Sequence, residues 1–207
     1  VSDPDRYLTI ADGPEVEIKV SRSRFVARLF HVTDEETATA ALERVRRVHH
    51  AARHHCFALR LGAPGALRER ADDAGEPAGT AGRPILARLA RAELHDTLLV
   101  VSRYFGGIKL GTGGLSRAYG DAARAALDVA QVETVRLTTS LAVECAFDDV
   151  GLVEGVVARA GSDVDSVERE FASGPRLVLH VGRSRANDLS AAIVEATGGR
   201  ARVGVLG

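Results

Sequence analysis

The stretch from Arg103 to Gly120, RYFGGIKLGTGGLSRAYG, holds six glycines, three aromatic rings and three cations. Glycine gives up more backbone freedom on folding than any other residue, so such a cluster marks unusual torsions or a close approach of the backbone to something. It follows DTLLVVSRYF (96–105), an apolar run that reads as a buried strand, and leads into an amphipathic helix from about Gly113 to Ala130. A turn of this kind leaves backbone N–H groups free at the start of a helix, where the dipole also favours negative charge. The named phosphate motifs do not fit. Gly106 to Gly111 is followed by Thr112 and Gly113 instead of Lys and Ser/Thr, and the run from Gly111 ends in Ser116 where a dinucleotide fingerprint needs Gly or Ala. Two readings stay open: an anion cradle, or a tight turn packed under its own helix.

In the cradle reading, Gly111, Gly113 and Gly114 supply amides, Thr112 and Ser116 hydroxyls, and Lys109 charge. Arg103, flanked by Tyr104 and Phe105, suits stacking on a nucleobase, although core packing explains Phe105 equally well. Leu115, Tyr119, Ala122, Ala126 and Val129 share one face of the helix. Arg117 with Asp121 and Arg124 with Asp128 have the spacing of ion pairs on its surface.

Charge narrows the partners. With 27 basic and 28 acidic residues, the net charge is −1, so nucleic acid would have to be held by a local patch. Of the basic residues only Lys19 and Lys109 are lysine, which sets Lys109 apart in the glycine cluster. No run of 18 apolar residues occurs, and VSDPDRYLTI lacks the pattern of a secretory signal. The expectation is a cytoplasmic protein away from membranes, with Cys56 and Cys145 as free thiols.

Along the chain, EVEIKV (15–20) and RFVARLFHV (24–32) alternate as strands, and Thr33 or Asp34 caps a helix reaching about His50. HCFALRLG (55–62) is a strand, residues 63–79 a long polar loop, and a helix starts near Thr80 with Pro84 in its first turn. A second unit begins near Arg136. Strands at 138–147, 166–173, 176–183 and 201–207, with helices at 149–161 and 186–199, give a β-α-β-β-α-β order, which is ferredoxin-like. The fold class is α+β in two domains, 1–135 and 136–207.

Two further clusters are candidates. Asp72, Asp73 and Glu76, with Thr80, lie in the polar loop, where carboxylates could hold Mg²⁺ or act as a base, or be solvated acids on a turn. HHAARHHC (49–56) offers four histidines and a cysteine, but the helix is expected to end between His50 and His54, and no closed zinc spacing is present. Neither a metal nor a cofactor is expected.

EIKVSRSRFVA (17–27), HHCFALRLG (54–62), DDAGEPAGTAGRPIL (72–86) and VVSRYFGGIKLGTGGLSRAYGDAA (100–123), in this order, resemble the IMPACT family of YigZ-like proteins. Where that family's acidic loop usually runs Asp-Asp-Gly-Glu-Pro, this chain inserts Ala74. The resemblance implies an N-terminal domain similar to domain IV of elongation factor G and a C-terminal one similar to its domain V, both ribosome-engaging in that factor. Eukaryotic relatives modulate translation by competing for a partner of an initiation-factor kinase. The resemblance therefore implies regulation of translation by binding RNA or a ribosome-associated partner through the face made by 72–83 and 103–120. The other readings are an enzyme holding a phosphorylated small molecule in the same cleft, and a protein-interaction module without an anion site.

Overall fold

The computed structural model describes residues 3–172 and 174–206, which divide into two compact units. One unit is Tyr7–Val135; the other is Arg136–Gly207 together with the N-terminal residues up to Arg6, a segment the sequence reading had placed with the first domain. Within the second unit Asp5 holds that segment: its carboxylate accepts from the Ser184 N–H and hydroxyl at 2.8 and 2.7 Å.

The first part of the chain forms β1 (Arg6–Ile10), β2 (Val16–Val20), β3 (Ser23–His31), α1 (Glu35–Val48), β4 (His54–Leu61), β5 (Arg68–Asp72), α2 (Gly82–Arg91), β6 (Thr97–Tyr104), α3 (Gly111–Asp128) and β7 (Val132–Arg136). Five strands make an antiparallel sheet in the order β2-β3-β6-β4-β5, and β1 pairs with β7. The central strand β6 is buried from Thr97 to Arg103, with the apolar run Leu98–Val101 at its middle, because helices cover both sheet faces. Its Leu99 and Val101 pack with Phe25, Cys56, Ile85, Leu115 and Tyr119 beneath α2 and α3. Its Leu98 and Val100 point the other way, into a cluster with Phe30, Phe57, Leu42 and Val45 under α1.

Helix α1 starts where expected. Asp34 accepts from the Thr37 N–H, Thr37 closes the capping box, and Glu35 and Glu36 oppose Arg46 and Arg47 at the two ends. It stops at Val48, so His50 and His54 do not share a helix. Several expectations need correction. The polar loop at 63–79 contains a strand, β5, whose five residues are all exposed at the sheet edge. Helix α2 begins at Gly82, not Thr80, and α3 spans 111–128, not 113–130. Val129 is therefore 49% exposed and lies off the buried face. Asp121 lies 3.9 Å from Arg88 and from Arg124, instead of pairing with Arg117, and Asp128 makes no ion pair among the described residues.

The second unit contains β8 (Thr138–Glu144), α4 (Val150–Ala160), β9 (Val164–Glu170), β10 (Arg176–Gly182), α5 (Ala186–Ala196) and β11 (Arg202–Leu206). Its antiparallel sheet runs β11-β8-β10-β9, the ferredoxin-like arrangement, over a core of Leu141, Val143, Val153, Leu177, Leu179, Leu189 and Ile193. Strand β8 ends at Glu144, short of 147, and Phe147 sits in a following helical turn. Ser173 and Gly207, included in the expected strands, lie outside the described residues. No helix among the described residues is long and apolar enough to cross a membrane.

Candidate functional site

The glycine cluster meets the acidic loop around a cavity of about 350 Å³ within the first unit, lined by residues of β4, the 73–81 loop, β6 and the start of α3. Each wall has a local cause. Gly106 lies against the backbone of Arg22: a Cβ there would fall 2.1 Å from its carbonyl carbon, so no side chain fits. Gly111 has φ +69°, the left-handed torsion that turns the chain into α3. Gly113 differs from the expectation of close packing. It is helical and exposed, and a Cβ there would meet only Arg117 Nη1 at 3.9 Å.

At its N-terminus α3 has no side-chain cap: Leu110 occupies that position, so the first amides have no protein partner among the described residues. Leu110, Gly111, Thr112 and Leu115 line the cavity with Lys109. Ser116 is half-buried, Gly114 is half-buried, and Arg117 is exposed; none of the three lines the cavity. Lys109 and Arg53 are exposed and make no ion pair among the described residues.

The floor is a buried polar knot. Glu76 Oε1 accepts from Arg103 Nη1 at 2.7 Å and from the Tyr119 hydroxyl at 2.8 Å. The Arg103 guanidinium lies 5.5 Å from the rings of both Phe25 and Phe105, and its Nη2 reaches Ser23 Oγ at 3.4 Å. Its Nε is sealed in without a partner among the described residues. Phe105 is 46% exposed, which removes core packing as its explanation, and it lines the cavity beside Arg103. Burial drives the Tyr119 phenol well above its ordinary range, so it acts as a hydrogen-bond donor. Burial likewise pushes the neighbouring Cys56 thiol up to about 12, and its Sγ donates to the Asp73 carbonyl at 3.0 Å.

The acidic loop therefore splits by role. Burial opposes the Asp73 charge, but three N–H donors, Gly79, Gly82 and Ala81, outweigh it and hold the carboxyl below its ordinary value. These contacts, 2.7 to 2.9 Å, cap the start of α2, whose N-cap residue, Ala81, has no side-chain oxygen to do so. Asp72 is exposed and accepts from the Ala74 N–H. Thr80 is buried, its hydroxyl spent on the Pro77 carbonyl. Of the four loop candidates, only Glu76 lines the cavity. Ala74 and Gly75 take left-handed torsions, φ +46° and +85°, in the turn that leads to Glu76.

The histidine tract disperses in the same way. His49 bonds Tyr104 and Glu15, His55 bonds Ser102, and His54 bonds the Ala74 carbonyl. No group of three metal-ligating side chains forms among the described residues. Sequence reasoning missed Arg53, His54 and Tyr119 as site residues. Tyr119 was visible only as part of an apolar helix face, and Arg53 and His54 are far from the glycines in sequence. Their signal was β4 lying beside β6, with His54 opposite Arg103.

Comparison with known proteins follows the same residues. A family model described as the Impact N-terminal domain matches residues 21–127, a span that includes every residue lining the cavity. A Haemophilus influenzae protein named as an IMPACT family member is 34% identical over 195 residues, 94% of each chain. Escherichia coli YigZ, also named as an IMPACT family member, is 38% identical over 163 residues, 77% of this chain and 79% of its own. A crystal structure of a protein described as hypothetical matches with a TM-score of 0.66 at 30% identity, covering 96% of both chains.

Proposed function

This chain belongs to the IMPACT family, and on that premise we propose that it is a cytoplasmic, translation-associated regulator that binds RNA phosphate at the cavity mouth. The observation that carries this reading is the uncapped start of α3 opening, with Lys109 and Arg53, onto the cavity beside exposed Phe105. Arg103 is committed to Glu76, so these two cations are the cavity's uncompensated charge. Free amides, a helix dipole and two point charges attract phosphate, and Phe105 offers a face for a base. The patch supplies locally what a net charge of −1 cannot supply globally. The translational setting rests on the family resemblance.

The test is a fluorescence-anisotropy titration of short single-stranded RNA over a range of salt. Two contacts predict a shallow fall of log affinity with log salt, with a slope of roughly −0.7 per phosphate. Affinity independent of salt contradicts the reading. One observation favours the enzyme reading: a cavity of about 350 Å³ is large enough for a phosphorylated small molecule. Saturable thermal stabilisation by a mononucleotide, without RNA binding, selects it.

A further inference from the structure

At the floor of the cavity are two hydrogen-bond acceptors that no donor among the described residues uses. Glu76 is 4% exposed at its side chain, and both bonds it receives fall on Oε1. Its Oε2 has no partner among the described residues, and it is not among the sealed-off atoms, which are Arg103 Nε and Arg136 Nε. A buried carboxylate oxygen left open toward a cavity lacks a hydrogen bond that a bound donor would restore.

The second acceptor is set by backbone. His54 Nδ1 lies 2.9 Å from the Ala74 carbonyl, which can only accept, so Nδ1 carries the proton. In the neutral ring Nε2 is then a bare acceptor. It sits 4.0 Å from Glu76 Oε1, too far to bond it, and His54 lines the same cavity at 14% side-chain exposure. Ala74 thus gives the loop a carbonyl that orients His54. Two acceptors below a cationic, amide-lined mouth call for a ligand with phosphate at one end and uncharged hydroxyl donors at the other.

We infer that Glu76 and His54 read ribose hydroxyl groups, so that the cavity takes ribonucleotide units in preference to deoxyribonucleotides. This rests on the phosphate-binding reading above and adds the donor that the floor selects. The 2′-hydroxyl is the group that separates RNA from DNA, and a pocket built to accept its hydrogen bond is left unsatisfied without it.

The test compares a short oligouridylate with the oligodeoxyuridylate of equal length, so that bases and phosphates are matched. Wild-type protein should bind the ribose form roughly tenfold more tightly, the effect of one hydrogen bond to a charged acceptor. Glu76→Gln keeps an oxygen for Arg103 and Tyr119 but turns the open position into a donor. His54→Asn keeps a donor for Ala74 and removes the acceptor. Each variant, checked for folding by circular dichroism, should weaken oligouridylate binding and narrow the ribose preference; if one fails to fold, the other carries the test. Equal wild-type affinities overturn the hydroxyl reader while leaving the phosphate mouth intact. A wild-type preference that persists undiminished in the folded variants also overturns it. No binding of either oligomer removes the RNA-binding reading itself.

Discussion

Arg103 donates from Nη1 to Glu76 Oε1 at 2.7 Å, with the two side chains 6% and 4% exposed. The pair joins the central strand β6 to the acidic loop, and Tyr119 ties both to α3 through the same oxygen. Such a pair costs desolvation on both sides, so its net worth is modest, but removing one partner strands the other charge. Glu76→Ala should therefore lower stability by about 3–5 kcal/mol, read by urea denaturation. Glu76→Gln, which keeps an acceptor, should cost clearly less. A loss of less than about 1 kcal/mol in Glu76→Ala would mean that Arg103 does not depend on this contact.

The glycines separate by position. Gly106→Ala places a methyl into the Arg22 backbone and should be strongly destabilising, because neither side can yield cheaply. Gly113→Ala meets open space on a helix and should be neutral or stabilising, up to about 1 kcal/mol. Denaturation midpoints of the two variants check this; a loss at Gly113 as large as that at Gly106 contradicts it.

Asp73 makes stability depend on acid pH. Its folded carboxyl titrates below its ordinary value of 3.8, so its contribution is fully present above that value and is lost as pH falls through the folded one. Asp73→Asn removes the charge but keeps one acceptor, and should cost about 0.5–2 kcal/mol near neutrality, in the range of a lost helix cap. The gap between wild type and variant should narrow only as pH falls below 3.8 and through the depressed folded value, where the wild-type carboxyl also loses its charge. A gap constant down to strongly acidic pH would contradict the charged cap.

The two thiols should differ in reactivity. Cys56 is fully buried with its thiol pushed up to about 12, whereas Cys145 is half-buried, its thiol raised mainly by burial. A chromogenic disulfide reagent near neutral pH should label Cys145 first, and Cys56 only on unfolding. Native labelling of Cys56 at the same rate would show that the cavity floor opens.

Much of this architecture was legible because it is local. Period-two alternation marked β2 and β3, and Asp34 with Glu35 and Glu36 marked the start of α1. Strand β5, RERAD, was hidden because an exposed edge strand needs no apolar residues. Strands β1 and β7 pair across more than a hundred residues, which no window of sequence displays. The site was legible by half. Lys109, Gly111, Thr112 and Arg103 were found from composition and from a turn between a strand and a helix. Asp73 looked like a site carboxylate but caps a helix, because a carboxylate facing three amides and one facing a cavity look alike in sequence. His54 and Arg53 enter only through the pairing of β4 with β6.

The central claim is that Lys109 and Arg53 hold RNA phosphate at the open start of α3. Both are exposed and unpaired among the described residues, so the double variant Lys109→Ala/Arg53→Ala should melt at about the wild-type temperature, since surface changes stay within about 0.5 kcal/mol of neutral each. The deciding measurement is its affinity for single-stranded RNA across salt concentrations. The account predicts weaker binding and a salt slope shallower by roughly 0.7 for each cation removed. Wild-type affinity with an unchanged slope would contradict it.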